Sequence, residues 1–218
     1  CNNSCVRRDL SAVTAEDLAR ITDAINVYVT NYGVYTVSMI LDTAGKAVAI
    51  NTIDAAGQKL ATSSQVIGRS FEGETWFKDV AAGKFTTGKT KDGKALATGT
   101  VMGSPGADPL VSELYGKAAP AWSMSFTAPI ADPDGKVVGY WHNCFSSTMV
   151  EQIVVAEFAQ QKAQGLDSTE TNVVDANGNL LVDFDPVETG GTSCRYDDVL
   201  RLNFVSTNED IAVAAKAS

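Results

Sequence analysis

Apolar side chains return at Leu18, Ile21, Ile25 and Tyr28, the spacing of one helix face. Thr14 followed by Asp17 reads as an N-cap with an acidic third residue, so the pattern predicts a helix over 14–30. Arg7 and Arg8 ahead of it are read as the continuation of a longer helix. At Val34 the period changes. Val34 to Leu41 is rich in β-branched and aromatic residues and stops at Asp42-Thr43-Ala44-Gly45. The same device recurs at Asp54-Ala55-Ala56-Gly57, Asp132-Pro133-Asp134-Gly135 and Asp175-Ala176-Asn177-Gly178. An Asp side chain bonds backbone two residues on, and Gly takes the positive φ that closes the turn. These four sites predict hairpins or turns of an antiparallel sheet.

Between the second and third turns the pattern differs. Trp76, Phe77 and Val80 lie at near-helical spacing within 72–82, ahead of Gly83, and predict a short helix. Residues 99–120 carry Gly103, Pro105, Gly106, Pro109 and Gly116 and read as a long loop with one helical turn near 110–115. Ala121–Ile130 and Lys136–Phe145 are the strongest strands. A second helix is predicted over 148–164, with Met149, Ile153, Ala156 and Ala159 or Gln160 on one face, ended by Gly165. A new strand-turn-strand unit starts at Thr171, which places a domain boundary near 165.

The charge balance narrows the function. With 17 basic and 26 acidic residues the net charge is −9, and no basic block offsets it, so a nucleic-acid backbone is repelled. No stretch of the chain is apolar for long enough to span a membrane. The opening Cys1, with no hydrophobic leader behind it, is read as a mature domain or a trimmed one. Cysteines at 1, 5, 144 and 194 fit neither a redox C-x-x-C nor a haem motif. They leave open a disulfide framework with three pairings, or a Cys144 that is only a small buried hydrophobe.

Val37–Leu41 running into Asp42–Lys46, then Val66–Ser70, Thr75–Lys84, Ser125–Ile130 and Gly135–Gly139, taken in this order and spacing, resemble the double Cache (PAS-like) sensor domains of bacterial chemoreceptors and sensor kinases. The resemblance implies an α+β fold: a PAS-like Cache module with a central antiparallel sheet, a long N-terminal helix and a partial second β-rich module. It divides the chain into an N-terminal helix (1–31), a membrane-distal ligand-binding module (32–147), a connecting helix (148–165) and part of a membrane-proximal module (166–218). It also implies a function: the extracytoplasmic sensory domain of an inner-membrane receptor, periplasmic or extracellular, that binds a small molecule for chemotaxis and carries out no catalysis. A ligand-free spacer or dimerisation module, or the sensor of a histidine kinase or diguanylate cyclase, is the alternative. A homodimer through the N-terminal helix is the expected partner contact. Amino-acid-binding members of the family carry an Arg two residues before the Trp matching Trp76 and an Asp on the last strand. Here Glu74 stands at the first position and Asn143 or Cys144 at the second, so a free α-amino acid is not the expected ligand.

The candidate ligand residues follow from these elements. Trp76 and Phe77 are placed to stack on a small molecule, or to pack a helix on the sheet. Trp122, Met124 and Phe126 alternate on one strand, and Trp141 and Asn143 on the next, with Tyr140, His142 and Cys144 facing the opposite way. Each set serves equally as a pocket wall or as core. Tyr115 is a lid donor from the long loop, and Glu74, if it faces inward, favours a cationic or hydroxyl-bearing ligand. His142 is the one histidine of the chain, and no metal site or cofactor is expected around it. Asp132 and Asp134 lack the rest of a calcium loop. Gly83–Thr90 matches the phosphate-loop string G-x-x-x-x-G-K-S/T, but it follows a helix and leads into a turn, so a basic surface loop is expected. Ser104 is not in G-x-S-x-G, and no H-E-x-x-H occurs.

Overall fold

A computed structural model of the chain describes residues 10, 13–89 and 92–207. Arg7, Arg8, Cys1 and Cys5 lie outside the described residues. The described residues fall into two compact units, one of those up to Ser104 with Pro109–Ala119 and Met124–Phe145, the other of Pro105–Asp108, Pro120–Ser123 and those from Ser146 onward.

Unit 1 begins with helix α1 (Ala15–Tyr32), where the Thr14 hydroxyl accepts the Asp17 N–H and Gly33 closes the C-terminus in the left-handed region. Five strands follow in the spatial order β2 (Ala47–Ile50), β1 (Tyr35–Leu41), β7 (Val137–Ser146), β6 (Ser123–Ala131) and β5 (Val101–Met102). β1 pairs antiparallel with both β2 and β7, opposing Ser38 to Asn143, Met39 to His142 and Ile40 to Trp141. This register divides the sheet into two faces. Val37, Met39, Leu41, Tyr140 and Cys144 point into one core with helix α2 (Thr75–Ala81) and helix α3 (Pro109–Tyr115). Ile40, Ala49 and Trp141 meet Ile21, Ile25 and Val29 of α1 on the other face.

The four Asp-to-Gly turns share one geometry. In each, an Oδ1 accepts the N–H groups two and four residues on, from Ala44 and Lys46 at Asp42, Ala56 and Gln58 at Asp54, Asp134 and Lys136 at Asp132, and Asn177 and Asn179 at Asp175. Three of them join neighbouring strands, and the Asp54 turn closes only the bridge between Ile53 and Lys59. Gly45 has a second constraint. Its φ is +80°, and a Cβ there would sit 2.8 Å from Cζ of Phe77. Gly45→Ala is therefore expected to cost about 1–3 kcal/mol, as left-handed strain plus displacement of a core ring, measured as a drop in urea midpoint.

The structure departs from the sequence pattern in three places. The loop over 99–120 contains β5 as well as α3, because Val101 pairs with Thr127 and extends the sheet. The phosphate-loop string enters a short strand, β3 (Thr87–Lys89), paired with β4 (Ala95–Ala97), so no helix N-terminus is there to receive a phosphate. The third departure is in helix α4 (Ser147–Ala163) of unit 2. It buries Ser147, Glu151, Val154 and Phe158, while Ile153 is 56% exposed, so the face expected from Met149, Ile153 and Ala156 is not the packed one. Apolar residues are spread around this helix, and its partners choose the face.

Those partners are the hairpin of β8 (Thr171–Val174) and β9 (Leu180–Phe184), followed by a short helix α5 (Pro186–Thr189) and, at the end, a helical turn α6 (Phe204–Thr207). Every residue of β9 is buried. One edge of β9 pairs with β8. The other is covered by backbone bonds between Leu180 and residues 200 and 202, and from the Arg195 N–H to the Asp183 carbonyl. Val182 and Phe184 pack on Val154, Phe158 and Cys194. Asp183 and Asp185, both buried, are held by the Arg195 guanidinium at 2.9 and 3.2 Å. Cys194 is a free thiol, so a framework pairing all four cysteines does not form; Cys144 is fully buried in the core of unit 1.

Candidate functional site

The sheet face beneath α2 and α3 carries the densest set of side chains with binding chemistry. α2 starts after Glu74 and is capped at Ala82, and its short amphipathic run turns Phe77 and Val80 into the core and leaves Trp76 half-buried at the edge. The Trp76 ring lies on the His142 imidazole with centroids 3.9 Å apart and planes 26° from parallel. Phe71 flanks the indole at 5.9 Å. Phe77 meets Tyr140 edge to face at 5.2 Å.

His142 sits on β7, opposite Met39, and is only 2% exposed. Burial pushes its pKa down to about 3, so the ring is neutral and offers one donor and one acceptor. Nδ1 is 2.8 Å from the Thr127 hydroxyl, and Nε2 is 3.5 Å from Cys144 Sγ. Thr127 is itself fully buried on β6, opposite Val101. Tyr115, at the end of α3, donates its hydroxyl to the Thr36 carbonyl at 2.8 Å, and burial holds its pKa above the ordinary phenol range. The Thr36 hydroxyl in turn donates to the Cys144 carbonyl. The Arg69–Glu113 ion pair is exposed and bidentate, with its closest contact at 2.7 Å.

The nine residues singled out by the sequence do not share one face. Trp76, Phe77 and Tyr115 come together on the α2/α3 side. Glu74 is exposed at the start of α2, with no capping bond from its side chain. Trp141 faces α1, where its Nε1 donates to the Ser38 hydroxyl at 2.8 Å and its ring lies 5.1 Å from that of Tyr28. Asn143, two residues on, shares that face, and its Oδ1 is buried without a hydrogen-bond partner. Met124 and Phe126 are half-buried, and by alternation from Thr127 they lie on the same side as Trp141. Trp122 belongs to unit 2, where it is buried and donates from Nε1 to the Leu181 carbonyl at 2.7 Å.

His142 and Thr127 are among the members of this cluster that the sequence pattern did not single out as ligand residues. The signal was present: Tyr140, His142 and Cys144 alternate away from Trp141. Which set faced α2 depended on the strand register, and that is a tertiary fact. Among the described residues no group of three or more His, Cys, Asp or Glu side chains is placed to hold a metal ion, and no helix is long and apolar enough to cross a membrane.

No family model and no curated protein matches the chain. Solved structures do match its fold. One is a domain of a protein assigned to the sensory box/GGDEF family of Vibrio parahaemolyticus, with TM-score 0.50 and 15% identity over 94% of this chain and 68% of that one. A second is the extracellular domain of a protein described as a histidine kinase, with TM-score 0.53 and 15% identity over 94% of this chain and 64% of that one. A third is the sensory domain of a Campylobacter jejuni chemoreceptor, with TM-score 0.51 and 9% identity over 85% of this chain and 60% of that one. The chain thus spans about two thirds of each of these domains. With its long N-terminal helix, central antiparallel sheet and smaller second sheet, it shares the α+β fold of these sensory domains, the architecture that the resemblance to double Cache, PAS-like sensors implies.

Proposed function

We propose that the chain is the extracytoplasmic sensory domain of a membrane-anchored signalling receptor, and that unit 1 binds a small molecule against the sheet face under α2 and α3. The observation that carries this reading is Trp76, half-buried and stacked on a neutral, buried His142 in a fold shared with extracellular sensor domains. An indole at the edge of a covered face is a stacking platform. Near it the polar groups are neutral: the Thr127 hydroxyl, the imidazole and the Tyr115 hydroxyl. The ligand these groups favour is uncharged or weakly charged, with a planar or apolar part. Chemotaxis is the output put forward here. The similar folds come from proteins described as a chemoreceptor, a histidine kinase and a GGDEF protein, and fold alone does not choose among outputs. Transmission requires a ligand that binds two arrangements of the helices unequally. α1 also offers a contact for a second copy, since Val27 and Tyr32 on it are 57% and 63% exposed.

A second reading has its own support. Fifteen buried residues fill the core on the α2/α3 side, which suits a spacer that binds nothing. A thermal-shift screen of the domain against purines, organic acids and sugars separates the two, because a ligand of the folded state raises apparent stability. Trp76→Ala is expected to abolish the shift while leaving the circular dichroism of the sheet unchanged. If no compound shifts the wild type, the spacer reading replaces the sensor one.

A further inference from the structure

Unit 2 contains a cleft of about 360 Å³ between α4 and the segment over 192–196, within the size range of small-molecule sites, about 300–1,000 Å³. Its lining is chiefly apolar. Val155, Ala156 and Ala159 of α4 contribute to it, as do Cys194 and Tyr196 from the opposing segment. One charged side chain, Glu151, also lines it and is only 8% exposed. Its Oε1 accepts from the Ser147 hydroxyl and its Oε2 from the Tyr196 hydroxyl, each at 2.8 Å. Two hydroxyls do not exhaust a carboxylate, which has about four acceptor positions. Nor do they neutralise it. Among the described residues no Lys or Arg lies within ion-pair distance of Glu151, and Arg195, between the cleft residues Cys194 and Tyr196 in the sequence, is committed to Asp183, Asp185 and Glu188. Burial first, then the charge of Glu151, pushes the Cys194 thiol up to about 11, and burial with the hydrogen bond to Glu151 holds the Tyr196 hydroxyl above its usual range.

A buried carboxylate without a cation is unfavourable unless something supplies one. We infer that this cleft is a second ligand site, distinct from the Trp76 face, that takes a small primary amine, its ammonium on Glu151 and its apolar body along Val155, Ala156 and Ala159. The inference does not depend on ligand binding by unit 1.

Isothermal titration of the domain with propylamine, 2-phenylethylamine and tryptamine, and with 3-phenylpropanoate as the acid of similar shape, tests it. At least one amine is expected to bind saturably and the acid not at all. Glu151→Gln is expected to weaken the amine by about tenfold or more, the loss of one charge-assisted contact. Ala156→Trp, at an exposed position of α4, is expected to fill the cleft and abolish binding, and it decides alone should Glu151→Gln fail to fold. Trp76→Ala is expected to leave amine binding unchanged. The inference is overturned if no amine binds, if the acid binds equally well, or if binding survives Ala156→Trp. Binding lost in Trp76→Ala but kept in Ala156→Trp would move the amine to unit 1, which overturns this site while supporting the sensor reading.

Discussion

Asn51→Ala is expected to destabilise unit 1 by about 3–5 kcal/mol, among the largest effects of any polar substitution in the chain. Asn51 is fully buried just beyond the end of β2. Its Oδ1 accepts the Ser38 N–H at 2.9 Å, and its Nδ2 donates to the Thr36 carbonyl at 3.0 Å and the Ile53 carbonyl at 2.9 Å. The side chain thus completes the ladder where the β1–β2 pairing runs out after Met39 and Ile50. Alanine leaves one N–H and two carbonyls without this partner inside a dry region, and each unsatisfied group costs about 1–3 kcal/mol before relaxation. The residue also sits next to Thr52, whose N–H is accepted by Asn26 of α1, so loosening this corner weakens the seat of the helix as well. Urea unfolding followed by tryptophan fluorescence checks this. Trp76 and Trp141 report on unit 1 and Trp122 on unit 2, so a selective loss in the first transition is the expected signature. A change under about 1 kcal/mol would show that water replaces the amide at this corner.

Lowering the pH from 6.5 toward 3 is expected to destabilise the wild-type domain through His142 alone at first. The pKa is near 6.5 in the unfolded chain and about 3 in the folded one, because burial disfavours the charged ring. Between these values the unfolded state binds the extra proton, so stability rises with pH across the window. It is fully present above 6.5 and is lost as pH falls. The limiting slope is about 1.4 kcal/mol per pH unit. The chain has one histidine, and carboxylates titrate mainly below about pH 5, which leaves the upper part of the window to this residue. His142→Phe keeps an aromatic ring under Trp76 and removes the proton. Its stability is expected to be flat from pH 6.5 to 5 where the wild type slopes, whatever its absolute value. Parallel slopes in the two proteins would mean that water reaches the ring and that its pKa is close to normal.

The sequence carried most of the local structure. The Thr14 cap, the spacing of Ile21 and Ile25, and the four Asp-to-Gly turns each act within a few residues, so their physics is complete without the rest of the fold. The same is true of the alternation on β7 that sets Trp141 apart from His142. What alternation leaves open is which set meets which layer. Trp76 and Trp141, both candidate ligand residues, lie on opposite faces because β7 pairs with β1 in the register that puts His142 beside Met39.

Composition and periodicity by themselves determined the main helices, strands and turns and a charge balance that repels nucleic acid, while the α+β sensor fold was an expectation of the family resemblance. Only the tertiary structure decided the rest: the burial of Glu151 in place of Ile153 on α4, the neutral His142 under Trp76, and the capping of a strand end by Asn51. Each of these depends on contacts between residues far apart in sequence. A helix with apolar groups on every side, or a strand with aromatic residues on both faces, has no inward side until a partner excludes water from one of them.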